Sequence, residues 1–570
     1  MGFSQFLSFF NKKEKNKILI LFFFMVIASV LETLGIGLIF PITGAILESI
    51  NDGQTNYSDF FQNIFKFPKN SIILYCLILL TLVYFVKIVF MIWFSYFQFK
   101  FIYFFKESLS SGLFKRYLNQ NFDFFLEKNS AEIIRNITTE VNQFSNYLFA
   151  FLRLCLEILV VIFIVMLLIF LNTKVAISII LVFGTISLIY FYALRKKVIS
   201  WGEERLINSK DIIQFAQEGF GSLNYIKFTG REDFFFNKFK LKNFGLALLN
   251  IKFNLVKELP KFIFEFIGIL SIVFIFYFYF ISGNNISDTI QILTVYLAAS
   301  FRVLPSINKI LNNAQVMKFC SSAVINLYNE TKSFKFSQKK ISDEKINFKD
   351  SINLKIKEFN YKGNRDFKLN NVDMQIKKNQ KIGIMGKTGF GKSTIIQIIL
   401  GIIKSEHVDF KVDNKSINTQ SRAWQNLICY VPQRIFILDD SLKQNILFGK
   451  DDNTLNEKRI NECIKITSLD KLISQLPNGI NSRIGEQGHN LSGGEIQRIA
   501  ICRAMLDDKA IIVLDEATSS LDQATSDEIV KYIFNLKDKT IIFVSHKKDN
   551  LKNCDLIYSF HQGKVEKYSN

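Results

Sequence analysis

In the amino-terminal half of the chain the apolar positions neither alternate nor keep to one helical face; they run on in long stretches broken by only a few charged residues. Six such runs fall at 18–47, 71–97, 147–171, 175–194, 262–281 and 290–311. Each is long enough to cross about 30 Å of hydrocarbon at about 1.5 Å per residue, which predicts six membrane helices. Two connections, Lys106 to Ser145 and Arg195 to Pro260, are polar, helix-like and far longer than ordinary loops; they read as extensions of the membrane helices. After Leu327 the pattern changes. Residues 328–350, within YNETKSFKFSQKKISDEKINFKDS, are charged and poor in apolar runs, and from 351 to 570 short apolar strands alternate with helices, the mark of an α/β domain. The expected boundaries are therefore a transmembrane domain at 1–327, a linker at 328–350 and an α/β domain at 351–570.

The first run is too long for a signal peptide and has no small-residue cleavage site, so it reads as a retained helix. Ahead of it, GFSQFLSFFNKKEKNK sets Phe3, Phe6, Leu7 and Phe10 at helical spacing beside Lys12, Lys13, Lys15 and Lys17. That pattern predicts an amphipathic helix lying on the membrane surface. The lysine cluster, against a loop SGNNISDT without Lys or Arg before the sixth run, places both termini in the cytoplasm. In the first loop, Tyr57, Phe60, Phe61, Ile64 and Phe65 share helical spacing, so a short outer-surface helix or simple aromatic anchoring is expected.

Composition agrees: 49% hydrophobic and 15% aromatic residues fit a membrane protein better than a soluble one. The net charge of +20 would suit nucleic acid. The cations are spread through the connections with no basic, aromatic-interleaved platform, so no nucleic-acid partner is expected. The seven cysteines are scattered without C-x-x-C spacing and read as reduced, buried thiols.

The sharpest chemical signal is the strand KIGIM followed by GKTGFGKST and the helical IIQIILGII. In this phosphate loop, Gly386, Lys387, Thr388, Gly389, Phe390 and Gly391 bring backbone N–H groups close to phosphate oxygens, and Lys392, Ser393 and Thr394 open a helix whose positive end faces them. Lys392 neutralises the β- and γ-phosphates and Ser393 ligates Mg²⁺. The partner motif is IIVLDEATSSLD. Its buried strand ends in Asp515, placed to hold Mg²⁺, and Glu516 stands where a carboxylate can deprotonate the attacking water. ATP and Mg²⁺ are the cofactors this predicts.

With LSGGE at Leu491 to Glu495, the whole chain resembles the ATP-binding cassette (ABC) transporters. The resemblance implies a multi-domain membrane protein: an all-α six-helix transmembrane domain of the exporter type fused to an α/β P-loop nucleotide-binding domain. It implies that Ser492, Gly493, Gly494 and Glu495, the last in place of the commoner glutamine, contact the γ-phosphate held by the opposite subunit. It further implies Tyr361 stacking on adenine, Gln433 of YVPQ sensing metal and nucleotide, Asp522 in the loop between subunits and His546 of FVSH contacting the γ-phosphate. One cassette per chain implies a homodimer with two shared ATP sites. No peptidase domain precedes the surface helix, which disfavours an exporter that processes leader peptides.

Cargo is read from cations in the membrane runs. Lys87 and Arg302 lie roughly 24 and 18 Å below the outward ends of their runs at about 1.5 Å per residue, near enough for one cationic level, and Lys261 can join it. Arg302, Ser306, Lys309 and Asn313 form one polar stripe. Competing readings are internal pairing: Arg153 with Glu157, Lys261 with Glu265, and Glu32 with Lys87 or Arg302. LETLGIGLIFPI, AEIIRNITTEV and FRVLPSINKI resemble stretches of lipid-linked oligosaccharide flippases of the PglK type, implying an anionic cargo, a polyprenyl-pyrophosphate-linked glycan, whose oxygens suit a bidentate guanidinium. The alternative is a general lipid, multidrug or peptide exporter.

Overall fold

The computed structural model describes residues 3–37, 72–171, 173–281, 286–334, 346–360, 368–403, 405, 407–451, 457–485, 488–546 and 548–569. The expected surface helix at 57–65 and Tyr361 lie outside these, as does the side chain of Arg302. The chain forms two compact units, one from residues 1–120 and 125–335, the other from 121–124 and 336–570.

Among the described residues, six long helices build the first unit: α1 (Lys12–Gly37), α2 (Ile72–Leu118), α3 (Val141–Leu171), α4 (Thr173–Gly221), α5 (Glu232–Ile281) and α6 (Ile286–Ser333). The longest, α5, has 50 residues. At about 1.5 Å per residue that reaches roughly 75 Å, more than twice a hydrocarbon core, so the apolar runs occupy only part of each long helix. Among the described residues, the stretches Lys12–Gly35, Leu77–Leu118 and Ser130–Phe170 have the length and apolarity to cross a membrane. The sixth helix continues past the expected boundary at Leu327 to Ser333, because Asn326 and Glu330 face inward to a polar network rather than opening into a linker.

The helices close on one another through branched and aromatic side chains. Val160, Ile164 and Leu168 of α3 recur every fourth residue and pack with Phe183 of α4, Phe264 of α5, and Val303 and Leu311 of α6. Lower down, Phe253 and Phe319 stack at 4.1 Å. Gly202 allows α4 and α6 to approach there, since a Cβ at this position would lie 2.3 Å from the Phe319 carbonyl oxygen.

Four expectations from sequence are corrected here. The short helix Phe3–Leu7 is amphipathic, but its apolar side is covered by protein: Phe6 is buried against Phe144, Tyr147 and Phe151, and Phe10 against Phe105. Glu157 does not pair with Arg153 one turn away. Its Oε1 accepts from Lys309 of α6 at 2.8 Å, while the Arg153 guanidinium lies 4.6 Å over the Phe149 ring. Lys87 is not an unpaired cation: its Nζ is 3.1 Å from Glu32 Oε1, with both side chains largely shielded, as the competing reading allowed. Lys261 and Glu265 form no ion pair; the Lys261 ammonium lies 5.9 Å over the Phe262 ring.

Between α2 and α3 the chain makes a helix Ser130–Arg135, capped by Asn129, and a π-helical turn Asn136–Glu140. Buried polar groups converge on that turn. Glu140 accepts two bonds from Arg205, at 3.2 and 3.0 Å. Asn136 donates to the Tyr117 hydroxyl, which donates to Glu330; Lys128 also reaches Glu330, at 2.9 Å.

The second unit holds two sheets. β1 (Ser351–Phe359), β2 (Leu369–Lys377), β4 (Val408–Val412) and β5 (Lys415–Ser416) form an antiparallel sheet in the order β2-β1-β4-β5. β3 (Lys381–Gly386), β6 (Ile428–Val431), β7 (Ile511–Asp515), β8 (Thr540–Val544), β9 (Leu556–His561) and β10 (Lys564–Ser569) form the other, in the order β10-β9-β3-β8-β7-β6. All its pairings are parallel except β9 with β10. Its central strands β7 and β8 are buried throughout, which is why IIVLD and TIIFV are continuous apolar runs rather than alternating ones.

Candidate active site

Because β3, β8, β7 and β6 are parallel neighbours, the segments that follow them emerge at one edge of the sheet, where ligands bind in open α/β folds. Those segments are Gly386–Thr394 after β3, His546 after β8, Glu516 after β7 and Gln433 after β6. Four motifs far apart in sequence thus meet through strand order alone.

The loop after β3 is shaped for an anion. Gly389 and Gly391 take φ of +87° and +99°, backbone that favours glycine. Gly391 caps α7 (Lys392–Ile399) without a side-chain hydrogen bond, so the first N–H groups of that helix have no internal acceptor from the cap. By contrast α8 (Gly493–Leu506) and α9 (Gln523–Phe534) are capped by Ser492 and Asp522 side chains. Gly386 is dictated by crowding, since a Cβ there would be 2.7 Å from the Phe560 carbonyl oxygen. Lys387, Thr388 and Gly389 are exposed, Phe390 is half-buried, Ser393 is exposed and Thr394 is buried.

Lys392 donates from Nζ to the carbonyls of Gly386 at 2.7 Å and Lys387 at 3.1 Å. Burial lowers its pKa, against the pull of Glu516 and Asp515. Burial raises the pKa of Asp515, and the adjacent Glu516 charge adds to the shift. Glu516 itself has a left-handed φ of +52°. Its Oε2 accepts from Gln433 Nε2 at 2.7 Å, and its Oε1 contacts His546 Nε2. His546 Nδ1 lies 3.2 Å from the Gly386 carbonyl, so the ring bridges the phosphate loop and Glu516. Glu516 is therefore held between two elements it does not belong to, with its carboxylate at the mouth of the phosphate loop.

At the start of α8, Ser492 and Glu495 form a reciprocal cap: Glu495 Oε2 accepts from the Ser492 amide at 2.7 Å and the Ser492 hydroxyl at 2.8 Å. The carboxylate that replaces the commoner glutamine thus stabilises the helix start. Gly493 and Gly494 pack against Ser520, where a Cβ on Gly494 would sit 3.1 Å from the Ser520 carbonyl. Asp522 caps α9 through the Thr525 amide, which lowers its pKa. Two contacts had no sequence signal of their own. Tyr430 donates to Asp515 at 3.5 Å, and buried Gln497 bonds the turn after Glu516.

The amino-terminal end of α7, which has no side-chain cap, fits phosphate oxygens. The buried Asp515 carboxylate, with its raised pKa, fits a divalent cation that would offset its burial.

Comparison with known proteins decides the family. Residues 18–303, half of the chain, match the ABC transporter transmembrane region, and residues 369–519 match the ABC transporter domain. The chain belongs to the ABC transporter family. An export ATP-binding/permease protein of Rickettsia bellii is 27% identical over 83% of both chains. Relatives of the same description, such as that of Rickettsia prowazekii at 36% identity, are matched over only 39% of their length. An ATP-dependent lipid A-core flippase of Colwellia psychrerythraea is 35% identical over 37% of this chain and 36% of its own. A bacterial Atm1-family ABC exporter solved with ATP bound shares the fold, with a TM-score of 0.77 at 18% identity over 97% of this chain and 95% of that one. This ABC transporter is a multi-pass membrane protein of the exporter fold, a helical transmembrane domain joined to a nucleotide-binding domain with a mixed sheet.

Proposed function

We propose that this ABC transporter hydrolyses ATP to export cargo. The observation that carries the reading is the single sheet edge where the phosphate loop, Asp515, Glu516, Gln433 and His546 converge, in a chain whose other unit is six long helices. The uncapped amides of α7 and Lys392 hold the phosphates, Tyr361 stacks on adenine, and Ser393, Asp515 and Gln433 hold Mg²⁺, which when bound neutralises phosphate charge. Glu516 removes the proton of the attacking water, and His546 contacts the γ-phosphate.

The working form is a homodimer. Ser492, Gly493, Gly494, Glu495 and Asp522 of one copy serve ATP held by the loop of the other. Support comes from α5, where Leu241, Phe244, Leu248, Ile251, Leu255 and Leu259 recur at three- and four-residue spacing and are all exposed. An apolar stripe of that period outside the apolar run calls for a helical partner surface, and a second copy supplies it.

The protein sits in a bacterial inner membrane with both termini cytoplasmic, and flips a polyprenyl-pyrophosphate-linked oligosaccharide outward. The relative named as a lipid A-core flippase supports an amphiphilic lipid cargo. Arg302 of α6, with Lys261 of α5, receives the pyrophosphate; Lys87 does not, because Glu32 neutralises it. That neutralisation favours the second reading, a general lipid, multidrug or peptide exporter with a less cationic cavity. Proteoliposomes carrying a fluorescent polyprenyl-pyrophosphate oligosaccharide separate the two. ATP-dependent flipping that Arg302→Ala abolishes, with ATPase activity in the absence of cargo retained, is the expected result. Unchanged flipping by folded Arg302→Ala returns the cargo to the general exporter.

A further inference from the structure

Gln497 is four residues into α8, buried to 4% exposure, and its side chain leaves the helix to bond one turn of the chain. Its Nε2 donates to the Ser519 hydroxyl at 3.0 Å and approaches the Glu516 carbonyl at 3.5 Å. Its Oε1 accepts from the Ser520 amide at 2.9 Å. The amide thus uses both ends on the segment that begins with Glu516 and ends at the α9 cap Asp522. That segment is already tight: Ser519 donates to the Glu516 carbonyl at 3.2 Å, and Leu521 to the Thr518 carbonyl at 3.3 Å. Glu516 is held there at a left-handed φ, a conformation that costs energy for a residue with a Cβ. A buried amide satisfied at both ends is an expensive thing to displace.

We propose that Gln497 is a positioning residue for Glu516: it ties the start of α8 to the turn that aims the base, so displacement of α8 is felt at the carboxylate. The proposal rests on the shared-site reading above. In a homodimer the start of α8 faces ATP held by the partner subunit, whereas Glu516 serves ATP held by its own loop. Gln497 therefore joins the two ATP sites: occupancy sensed at one is passed to the base of the other. Gly493 and Gly494, packed without side chains against Ser520, give the same link a second point of contact.

The test uses the full-length protein in lipid nanodiscs with three readouts: ATP binding by a fluorescent analogue, thermal stability, and the ATP dependence of hydrolysis. Gln497→Leu keeps the volume and removes all three bonds. The expected result is unchanged ATP binding, a fall in kcat of about 10-fold or more, and a sigmoidal ATP dependence that becomes hyperbolic. A merely structural role would lower stability and the active fraction without changing the shape of that curve. Ser519→Ala, at an exposed position, removes one acceptor without touching the core and is the second arm should Gln497→Leu fail to fold; its sigmoidicity falls in the same direction. A hyperbolic wild type, or wild-type kcat and sigmoidicity in the folded variants, overturns the proposal. Failure of the shared-site reading is recognised separately, by a Lys392→Ala and Ser492→Arg mixed dimer that regains no ATP binding.

Discussion

Glu516 stands where two neighbours meet its carboxylate, Gln433 at Oε2 and His546 at Oε1, so its pose is set from both sides. Glu516→Gln preserves that shape but cannot take a proton. Loss of a general base commonly costs about 10² to 10⁴ in rate, so the variant binds ATP as the wild type does and turns over at least about 100-fold more slowly. Near-normal turnover by the purified variant removes Glu516 from its role. At this scale the grouping of the candidate site residues was legible in sequence because their motifs are local: Gly386 to Thr394 and Asp515–Glu516 are contiguous, and each follows a strand of the same sheet. The pairing of the membrane-helix cations was not. Lys87 finds its partner 55 residues away in Glu32, and Lys309 reaches across to Glu157. An ion pair between helices leaves no periodicity in either. The helical spacing that suggested Arg153 with Glu157 is worth only about 0.2–0.5 kcal/mol, too little to hold a buried carboxylate against a cation offered by a neighbouring helix.

The π-helical turn Asn136–Glu140 shows the same limit for an element. Sequence predicted a long polar connection there, and its helical character, but the extra residue in the turn answers to tertiary contacts. The turn presents Glu140, fully buried, to Arg205, 3% exposed, while Asn136 bonds Tyr117 and Asn326. Breaking a buried pair on one side strands the other charge at a cost of roughly 3–5 kcal/mol. Glu140→Gln is therefore expected to lower the unfolding temperature sharply in detergent. Glu140→Leu combined with Arg205→Met removes both charges and is expected to recover most of that loss. Equal destabilisation by single and double variants would show that the turn is held by Asn136, Tyr117 and Glu330 instead. The amino-terminal Phe3–Leu7 helix follows from the same reasoning. Its pattern specifies an apolar face, and only the placement of Phe144, Tyr147 and Phe105 decides that protein, not lipid, covers it.

For the whole molecule, a chain carrying one phosphate loop and one LSGGE stretch has, under the proposed homodimer, the parts of one shared ATP site, so that two copies would make two. The exposed apolar stripe of α5 from Leu241 to Leu259 is an observation independent of the ATP site that fits the proposed second copy, since such a stripe left to water invites association. Lys392→Ala and Ser492→Arg damage opposite halves of a site. Lys392→Ala removes the ammonium that neutralises phosphate. Ser492→Arg removes the hydroxyl that caps α8 through Glu495 and adds bulk where the partner's nucleotide would lie. Each homodimer then has two broken sites, and neither hydrolyses ATP. In the mixed dimer both lesions fall in one site and the other is whole. About half of the wild-type ATP-binding capacity is expected in the purified heterodimer, isolated with two different affinity tags so that parental homodimers do not contribute. Hydrolysis should return to no more than about half, and to less if Gln497 must relay occupancy from both sites before Glu516 is aimed. A heterodimer that binds ATP no better than its parents would mean that each cassette completes its own site. The exposed α5 stripe would then need a different partner.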